Sequence, residues 1–351
     1  MILLRILLLP FALLYRVITG LRNYAYDRGL RPVASFDVPV ITVGNLTVGG
    51  TGKTPMIEHL IRLLQGNHRV ATLSRGYGRE TKGFRLAGAD DTARTLGDEP
   101  AQFYRKFGTL ATVAVGEDRA FAIPNILQER EDTAVVLLDD AYQHRRVKPA
   151  FTILLSDYNR PFYTDLLLPA GRLRESRGGA ARADVVVITK CPPEIQAEEC
   201  MEIEKQVRRY AQTPVFFTTV RYGAPTPFGE HRQTIPAAEV ILLTGIAQAG
   251  PLQKYVASTY TVVAHLAFGD HHAYTAADLD TLRRHVQQHP HASILTTEKD
   301  MVKLIDVQLA KARAGLPFFF LPIEVEFVKN GEDFDAMIQN VIARDRQNYS
   351  H

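Results

Sequence analysis

The stretch that decides the fold is residues 39–65, which read PVITVGNLTVGGTGKTPMIEHLIRLLQ. Val40, Ile41 and Val43 form a short β-branched run that predicts a buried strand, and the segment from Lys53 onward has the apolar spacing of an amphipathic helix. Between them lie three closely spaced glycines, whose backbone N–H groups can turn inward around an anion. A strand, a glycine-rich turn and a helix in this order indicate a phosphate-binding loop.

The side chains at the start of the helix support this interpretation. Lys53 can reach the terminal phosphates of a nucleotide, and the Thr54 hydroxyl can bind Mg²⁺. The usual motif opens with glycine five residues before Gly52, whereas this chain has Thr47 there. The alternative is a glycine-rich turn that binds nothing. We predict that a nucleoside triphosphate is bound by Thr47, Val48, Gly49, Gly50, Thr51, Gly52, Lys53 and Thr54.

The N-terminus is an apolar segment. Residues 2–18 are almost wholly apolar and are interrupted by Arg5 and Arg16, and no acidic side chain precedes Asp27. Such a segment is typical of a helix that lies in, or dips into, an anionic membrane surface. We therefore expect residues 1–30 to be a membrane-associated helix on a cytosolic protein. A buried first helix is the alternative.

The composition excludes several classes of protein. A chain of 351 residues with 46% hydrophobic and 23% charged side chains is long enough for two α/β domains and is not disordered. A formal net charge of +3 without a basic stripe gives no argument for nucleic-acid binding. Cys191 and Cys200 are the only cysteines, and their spacing matches neither a zinc site nor a redox pair, so a reducing compartment is expected.

Beyond the phosphate loop, short apolar strands alternate with helices, which predicts a mostly parallel sheet with helices on both faces. From about Val215 the pattern changes. VFFTTVRY (215–222) and PFFFLPIEVEF (317–327) are aromatic, alternating strands that we expect to pair, with a second α/β pattern between them. The expected division is an N-terminal helix at 1–30, a P-loop domain at 31–222, a smaller α/β domain at 223–316, and a linker strand with a C-terminal helix returning toward the first domain at 317–351.

Two carboxylates follow the apolar strand of VVLLDD (135–140). In phosphate-loop enzymes a strand-end aspartate holds the Mg²⁺ that bridges the β- and γ-phosphates. Asp139 and Asp140 offer the hard oxygen ligands that Mg²⁺ requires. We predict metal binding here, and a solvated turn is the alternative.

Three further segments carry reactive side chains. In GDEP (97–100), Asp98 and Glu99 either cap a helix or act on a hydroxyl nucleophile. FGDHHAY (268–274) contains histidines that could partner a carboxylate or be merely solvated. LPAGRLRE (168–175) carries arginines that either stabilise a transferring phosphoryl group, grip an acidic substrate or lie on the surface.

Together these motifs resemble one family, tetraacyldisaccharide 4′-kinase, the lipid A 4′-kinase of Gram-negative envelopes. The matching stretches after the apolar N-terminus are VGNLTVGGTGKTP (43–55), LSRGYGR (73–79), GDEP (97–100), VGEDR (115–119), LLDDAYQHR (137–145), LLPAGRLRE (167–175), ITK (188–190), FGDHHAY (268–274) and TTEKDMVKL (296–304). They span nearly the whole chain, and their joint order is more specific than any one of them. The family's loop typically carries Ser or Thr at the position of Thr47.

The resemblance implies a kinase that transfers the γ-phosphate of ATP to the 4′-hydroxyl of a tetraacylated glucosamine disaccharide 1-phosphate lipid, forming lipid IVA. It implies the following roles: Asp98 as base or hydroxyl-positioning group, His271 as its partner, Lys53 and Arg174 as stabilisers of charge at the β- and γ-phosphates, and Thr54, Glu99, Asp139 and Asp140 as organisers of Mg²⁺. It also implies a peripheral or monotopic enzyme at the cytoplasmic face of the bacterial inner membrane. No nucleic-acid partner is expected from the charge, and no protein partner is implied.

The main rival function is a membrane-associated, nucleotide-dependent regulatory switch of the P-loop class. Guanine-specific switches usually carry Asn/Thr-Lys-x-Asp after a late strand, and the segment Thr189-Lys190-Cys191-Pro192 has proline in place of the aspartate. This disfavours a guanine nucleotide. A small-molecule kinase with a buried first helix, or a non-catalytic nucleotide-binding scaffold, would also carry a phosphate loop.

Overall fold

The computed structural model of this protein describes residues 2–231 and 233–349. The chain forms two compact units. The first, here called the P-loop unit, comprises the described parts of Met1–Arg75, Phe107–Val220 and Val325–His351. The second unit comprises the described parts of Gly76–Lys106 and Arg221–Glu324.

The described elements follow one another along the chain as α1 (Ile2–Asp27), β1 (Val40–Asn45), α2 (Lys53–Leu64), β2 (Val70–Ser74), β3 (Arg85–Leu86), α3 (Ala93–Leu96), α4 (Asp98–Phe107), β4 (Ala111–Val115), α5 (Arg119–Glu129), β5 (Val135–Asp139), β6 (Phe151–Asp157), β7 (Val185–Thr189), α6 (Ala197–Arg208), β8 (Val215–Tyr222), β9 (Thr226–Pro227), β10 (Glu239–Thr244), α7 (Gly250–Thr259), β11 (Thr261–Ala267), α8 (Ala276–Gln288), β12 (Ser293–Thr297), α9 (Glu298–Leu304), α10 (Ala310–Arg313), β13 (Phe318–Leu321), β14 (Ile323–Phe327) and α11 (Gly331–Tyr349). Short 3₁₀ helices lie at Phe162–Thr164, Arg177–Arg182 and Val307–Leu309.

The sheet of the P-loop unit has the strand order β14-β8-β7-β6-β1-β5-β2-β4. β1 lies between β5 and β6 and is parallel to both. Every residue of β1, β2, β5, β6 and β7 is buried, as expected for strands covered by helices on both faces. The register pairs Val43 with Asp139, so the loop after β1 and the two carboxylates after β5 begin at the same edge of the sheet.

The second unit has its own sheet, with the order β11-β10-β12-β13-β9. The pairings are parallel except for β9, which is antiparallel to β13. Its core includes Val240, Leu242, Leu252, Val256, Leu295, Phe319 and Leu321. The predicted fold class, a mostly parallel α/β sheet with a second, smaller α/β part, is confirmed.

Two details differ from the expectation. Residues 317–327 are two strands, because Pro322 lacks the N–H that a continuous ladder needs. Of these two strands, only β14 is a neighbour of β8, whereas β13 pairs with β12. Residues 76–106, expected in the P-loop domain, cluster with the second unit. The domain limits drawn from the sequence otherwise stay predictions.

Helix α1 exposes a continuous apolar stripe. Five large side chains spaced as i, i+4, i+7, i+11 and i+14 are between 57% and 69% exposed, namely Leu7, Phe11, Leu14, Ile18 and Leu21. This spacing places them on one helix face. The stretch Arg5–Asp27 contains an 18-residue window with a mean hydropathy of 1.3, so by length and composition alone it could cross a membrane.

The close packing of Gly44 in β1 against Tyr142 in the turn after β5 can be tested by mutation. A Cβ atom added at Gly44 would lie 2.7 Å from the Cβ and 2.9 Å from the backbone N of Tyr142. Tyr142 is buried and its hydroxyl donates to the carbonyl oxygen of Gly179 at 2.7 Å, so it has no room to retreat. We expect Gly44→Ala to lower the free energy of unfolding by about 1–3 kcal/mol, measured by urea denaturation.

Gly66→Ala is the matched control for Gly44→Ala. A Cβ at Gly66 has no neighbour within 4 Å among the described residues. Equal stability of the two variants would contradict the packing argument.

Candidate active site

The phosphate loop has the backbone that its glycines predict. Gly49 and Gly52 have φ angles of 108° and 84°, which only glycine adopts without strain. α2 begins directly after Gly52, and this N-cap residue makes no side-chain hydrogen bond to the first N–H groups of the helix. These N–H groups and the positive end of the helix therefore suit an anion.

Side chains from other strand ends brace this loop. Asn45 Nδ2 donates to the Thr51 hydroxyl at 2.7 Å, and the Thr189 hydroxyl donates to the Thr51 carbonyl at 2.9 Å. The Lys190 ammonium donates to the carbonyl of Gly50. The sequence motifs assigned no role to Thr189 and Lys190. Their position after β7, at the edge of the sheet that carries the loop, is the signal that could have revealed it.

Asp140 lies between two cations. Its Oδ1 is 3.6 Å from Lys53 Nζ, and Arg174 Nη1 donates to Oδ1 at 2.9 Å and to Oδ2 at 3.1 Å. Burial acts to raise the pKa of Asp140, but the charges of Lys53 and Arg174 outweigh it and hold this pKa below its ordinary value. The structure therefore brings three of the predicted site residues together, with the carboxylate ionised at neutral pH.

Asp139 is buried at the end of β5, where the Ser74 hydroxyl donates to its Oδ2 at 3.2 Å. The buried Arg119 donates to the Asp139 carbonyl at 3.4 Å. Burial lowers the pKa of Arg119 to about 10, although Asp139 and Asp140 oppose the shift, so the guanidinium stays charged at neutral pH. Arg119 lies in the VGEDR motif, and the motif alone did not predict a role for it.

The second unit brings Asp98 and His271 together. Asp98 begins α4, His271 lies in the loop after β11, and Asp98 Oδ2 is 3.1 Å from His271 Nδ1. His271 has a φ of 59°, and the Tyr77 ring lies 5.1 Å from its imidazole, centroid to centroid. The expected domain limits placed Asp98 with the phosphate loop, whereas both members of the pair belong to the second unit.

Lysines of α9 surround this pair. Lys299 Nζ lies 3.5 Å from Glu99 Oε1, and the largely buried Lys303 Nζ lies 3.8 Å from Asp98 Oδ2. Glu99 therefore has a lysine partner in the second unit. Among residues 2–231 and 233–349, no group of three or more His, Cys, Asp or Glu side chains is arranged to hold a metal ion.

Comparison with known proteins identifies the family. Residues 4–343 match the family described as tetraacyldisaccharide-1-P 4′-kinase. The chain belongs to this family. The match covers nearly the whole chain and so includes residues of both units.

Individual members of the family agree. Tetraacyldisaccharide 4′-kinase of Flavobacterium johnsoniae is 44% identical over 97% of this chain and 98% of its own length. That of Cytophaga hutchinsonii is 42% identical over 93% of this chain and 92% of its own. The crystal structure of LpxK from Aquifex aeolicus in complex with ATP superimposes with a TM-score of 0.75 at 28% identity, covering 97% of this chain and 99% of that one.

These matches confirm the resemblance drawn from the motifs, and they support a kinase with an alcohol acceptor over a regulatory switch. The roles of the individual site residues stay predictions.

Polar side chains of α1 contact the segments that carry this site. The Tyr15 hydroxyl donates to the Arg174 carbonyl at 2.8 Å, and Asn23 Nδ2 donates to Glu175 Oε2 at 2.7 Å. Arg22 donates to the carbonyl of Gln143 at 2.6 Å. The membrane helix predicted from the sequence thus also positions the Arg174 segment.

Loss of one of these contacts is testable. We expect Tyr15→Phe to lower kcat for kinase activity about 3- to 10-fold, because a hydrogen bond of about 1 kcal/mol would no longer hold the Arg174 backbone. The rate is measured at saturating ATP. Tyr24→Phe, on the exposed part of the same helix, is the control. Equal rates for both variants would show that α1 does not position Arg174.

Proposed function

We propose that this protein uses ATP and Mg²⁺ to phosphorylate the 4′-hydroxyl of a tetraacylated glucosamine disaccharide 1-phosphate, forming lipid IVA in lipid A biosynthesis. The observation that carries the proposal is the ion-paired group of Lys53, Asp140 and Arg174 beside a phosphate loop, in a chain of the tetraacyldisaccharide-1-P 4′-kinase family.

The phosphate loop would bind the triphosphate of ATP through residues 47–54. In phosphoryl transfer the negative charge is spread over the oxygens of the transferring group, so catalysis depends on positioning and on nearby positive charge. Lys53 and Arg174 supply that charge, and Asp140 holds the two cations beside each other. A compact ammonium and a planar guanidinium can then contact different oxygens.

The residues at the loop fit Mg²⁺. The Thr54 hydroxyl in the first turn of α2 and the Asp139 carboxylate at the end of β5 are hard oxygen donors. When bound, Mg²⁺ would neutralise charge on the β- and γ-phosphates. Asp140 and Glu99 remain predicted organisers of the metal, and each has a cationic partner in the structure.

Asp98 would act on the acceptor hydroxyl. A carboxylate that accepts a hydrogen bond from the 4′-hydroxyl orients it for attack and can take its proton as the new O–P bond forms. His271, at 3.1 Å, would hold Asp98 in place.

The acceptor is a lipid, and the apolar stripe of α1 would bind the membrane that contains it. A helix that buries this stripe in the membrane would hold the enzyme where the sugar headgroup is found. ATP is a cytosolic substrate, so we infer that the protein lies at the cytoplasmic face of the inner membrane.

The transfer itself is tested with γ-labelled ATP, Mg²⁺ and detergent-dispersed disaccharide 1-phosphate lipid. Label should enter the lipid, and Lys53→Ala and Asp98→Ala should each lower the rate at least about 100-fold. Chelation of Mg²⁺ should abolish transfer, and added Mg²⁺ should restore it. Consumption of ATP without labelled lipid would instead favour the regulatory switch.

The membrane contact is tested on the exposed stripe, since deletion of α1 would also remove the partners of Arg174. We expect Leu7→Ser/Leu14→Ser/Leu21→Ser to lower binding to anionic vesicles at least about 10-fold, because three apolar side chains contribute several kcal/mol. Met201→Ser, at an exposed apolar position on α6, is the control. Unchanged vesicle sedimentation of the triple variant would exclude this face as the membrane contact.

A further inference from the structure

We propose that Lys299 is a positioning residue that fixes the tautomer of His271, so that Nδ1 of the imidazole carries the proton and donates it in a hydrogen bond to Asp98. The proposal rests on the proposed role of Asp98 in phosphoryl transfer. It concerns a lysine of the TTEKDMVKL segment that has no part in the mechanism described so far.

Each ring nitrogen of His271 faces a different charged group. Nδ1 lies 3.1 Å from Asp98 Oδ2, and Nε2 lies 3.3 Å from Lys299 Nζ. A lysine ammonium has three donors and no acceptor, so Nε2 must accept this hydrogen bond. A neutral imidazole that accepts at Nε2 carries its proton on Nδ1, and that N–H points at the carboxylate of Asp98.

The surroundings of Lys299 keep it charged. Its Nζ lies 3.2 Å from Asp270 Oδ1 and 3.5 Å from Glu99 Oε1. A lysine side chain is a cation at neutral pH, and two carboxylates beside the ammonium favour that charged form. The ammonium is therefore the form that faces Nε2 at neutral pH.

Lys299 lies in the first turn of α9, and hydrogen bonds at the start of this helix hold its backbone in place. The Thr297 hydroxyl accepts from the Asp300 N–H at 3.0 Å, and the buried Asp300 accepts from the Gly245 N–H at 2.9 Å. Lys303, one turn further on, lies 3.0 Å from Asp300 Oδ1. α9 therefore presents Lys299 to the imidazole from an anchored first turn.

The other groups that face His271 do not select the same tautomer. Asp270 Oδ2 is 3.7 Å from Nε2, too far for a hydrogen bond, and its other oxygen is turned to Lys299. The Tyr77 ring contacts the imidazole ring to ring, and this contact does not distinguish between the two ring nitrogens. Without Lys299, the carboxylate of Asp270 would be the nearest charge to Nε2 and would favour a proton there.

The tautomer matters because of what Asp98 must do. With the proton on Nδ1, His271 donates to Oδ2 of Asp98. Oδ1 is then left to accept a hydrogen bond from the 4′-hydroxyl of the lipid. With the proton on Nε2, the lone pair of Nδ1 would face the carboxylate, and repulsion would separate the pair. Lys299 thus acts on the reaction through His271 and not by touching the substrate.

The direct test is the ¹⁵N spectrum of the histidine-labelled, detergent-solubilised full-length protein, with the His271 signals identified by their loss in His271→Asn. We expect a protonated Nδ1 and an unprotonated Nε2 in the wild type, and a population protonated at Nε2 in Lys299→Met. A wild-type His271 protonated at Nε2 would overturn the proposal, as would identical spectra of the two proteins. This readout needs no turnover, so it is independent of whether the lipid is phosphorylated.

Kinetics give the second test. We expect Lys299→Met to lower kcat about 10- to 100-fold with KM for ATP changed by less than about 2-fold, and Lys299→Arg to recover part of kcat, because arginine also donates to Nε2. Lys254→Met, at an exposed lysine of α7, is the control. A rise in KM for ATP at unchanged kcat would show that Lys299 binds the nucleotide directly and would overturn the proposal.

Discussion

The P-loop unit depends on the pairing of one carboxylate with two cations. Asp140 contacts both the lysine that follows the phosphate loop and the arginine of the LPAGRLRE segment. Among the described residues no other carboxylate lies within ion-pair distance of Lys53 or Arg174. Without Asp140, two positive charges would face each other in a partly buried site, where repulsion is weakly screened. The ion pairs therefore set the spacing of these two positive charges.

The sheet makes this pairing possible. Parallel strands end at one edge, and the register of β1 with β5 places the loop and the two aspartates side by side. β7 ends at the same edge and supplies Thr189 and Lys190, which hold the loop from the other side. The rigid part of the site is thus built from buried strands, and the reactive groups lie on the turns that follow them.

The sequence was sufficient to predict the site residues that lie together in one short motif. Lys53 and Thr54 directly follow the glycine-rich turn, and Asp139 and Asp140 lie at the end of β5, so a short motif is enough to find them. The family resemblance paired Asp98 with His271 and selected Arg174 among the arginines of its segment, which no spacing could have done. Thr189, Lys190, Arg119 and Lys299 lay in motifs that were recognised, but their roles depend on contacts between segments far apart in the chain. The assignment of residues 76–106 to the second unit also depends on contacts between distant segments. The division of residues 317–327 into two strands could instead be predicted, because Pro322 is visible in the sequence.

α1 carries both the exposed apolar stripe and the polar contacts to the Arg174 segment on one continuous helix. Its apolar stripe is exposed, whereas Tyr15 and Asn23 contact the Arg174 segment and Arg22 contacts the carbonyl of Gln143. An α-helix advances about 1.5 Å and turns about 100° per residue. Because the helix is continuous, adding a single residue after Leu21 would rotate the stripe by about 100° relative to Asn23. The number of residues between the stripe and Asn23 therefore fixes the direction in which the apolar side chains point relative to the Arg174 segment.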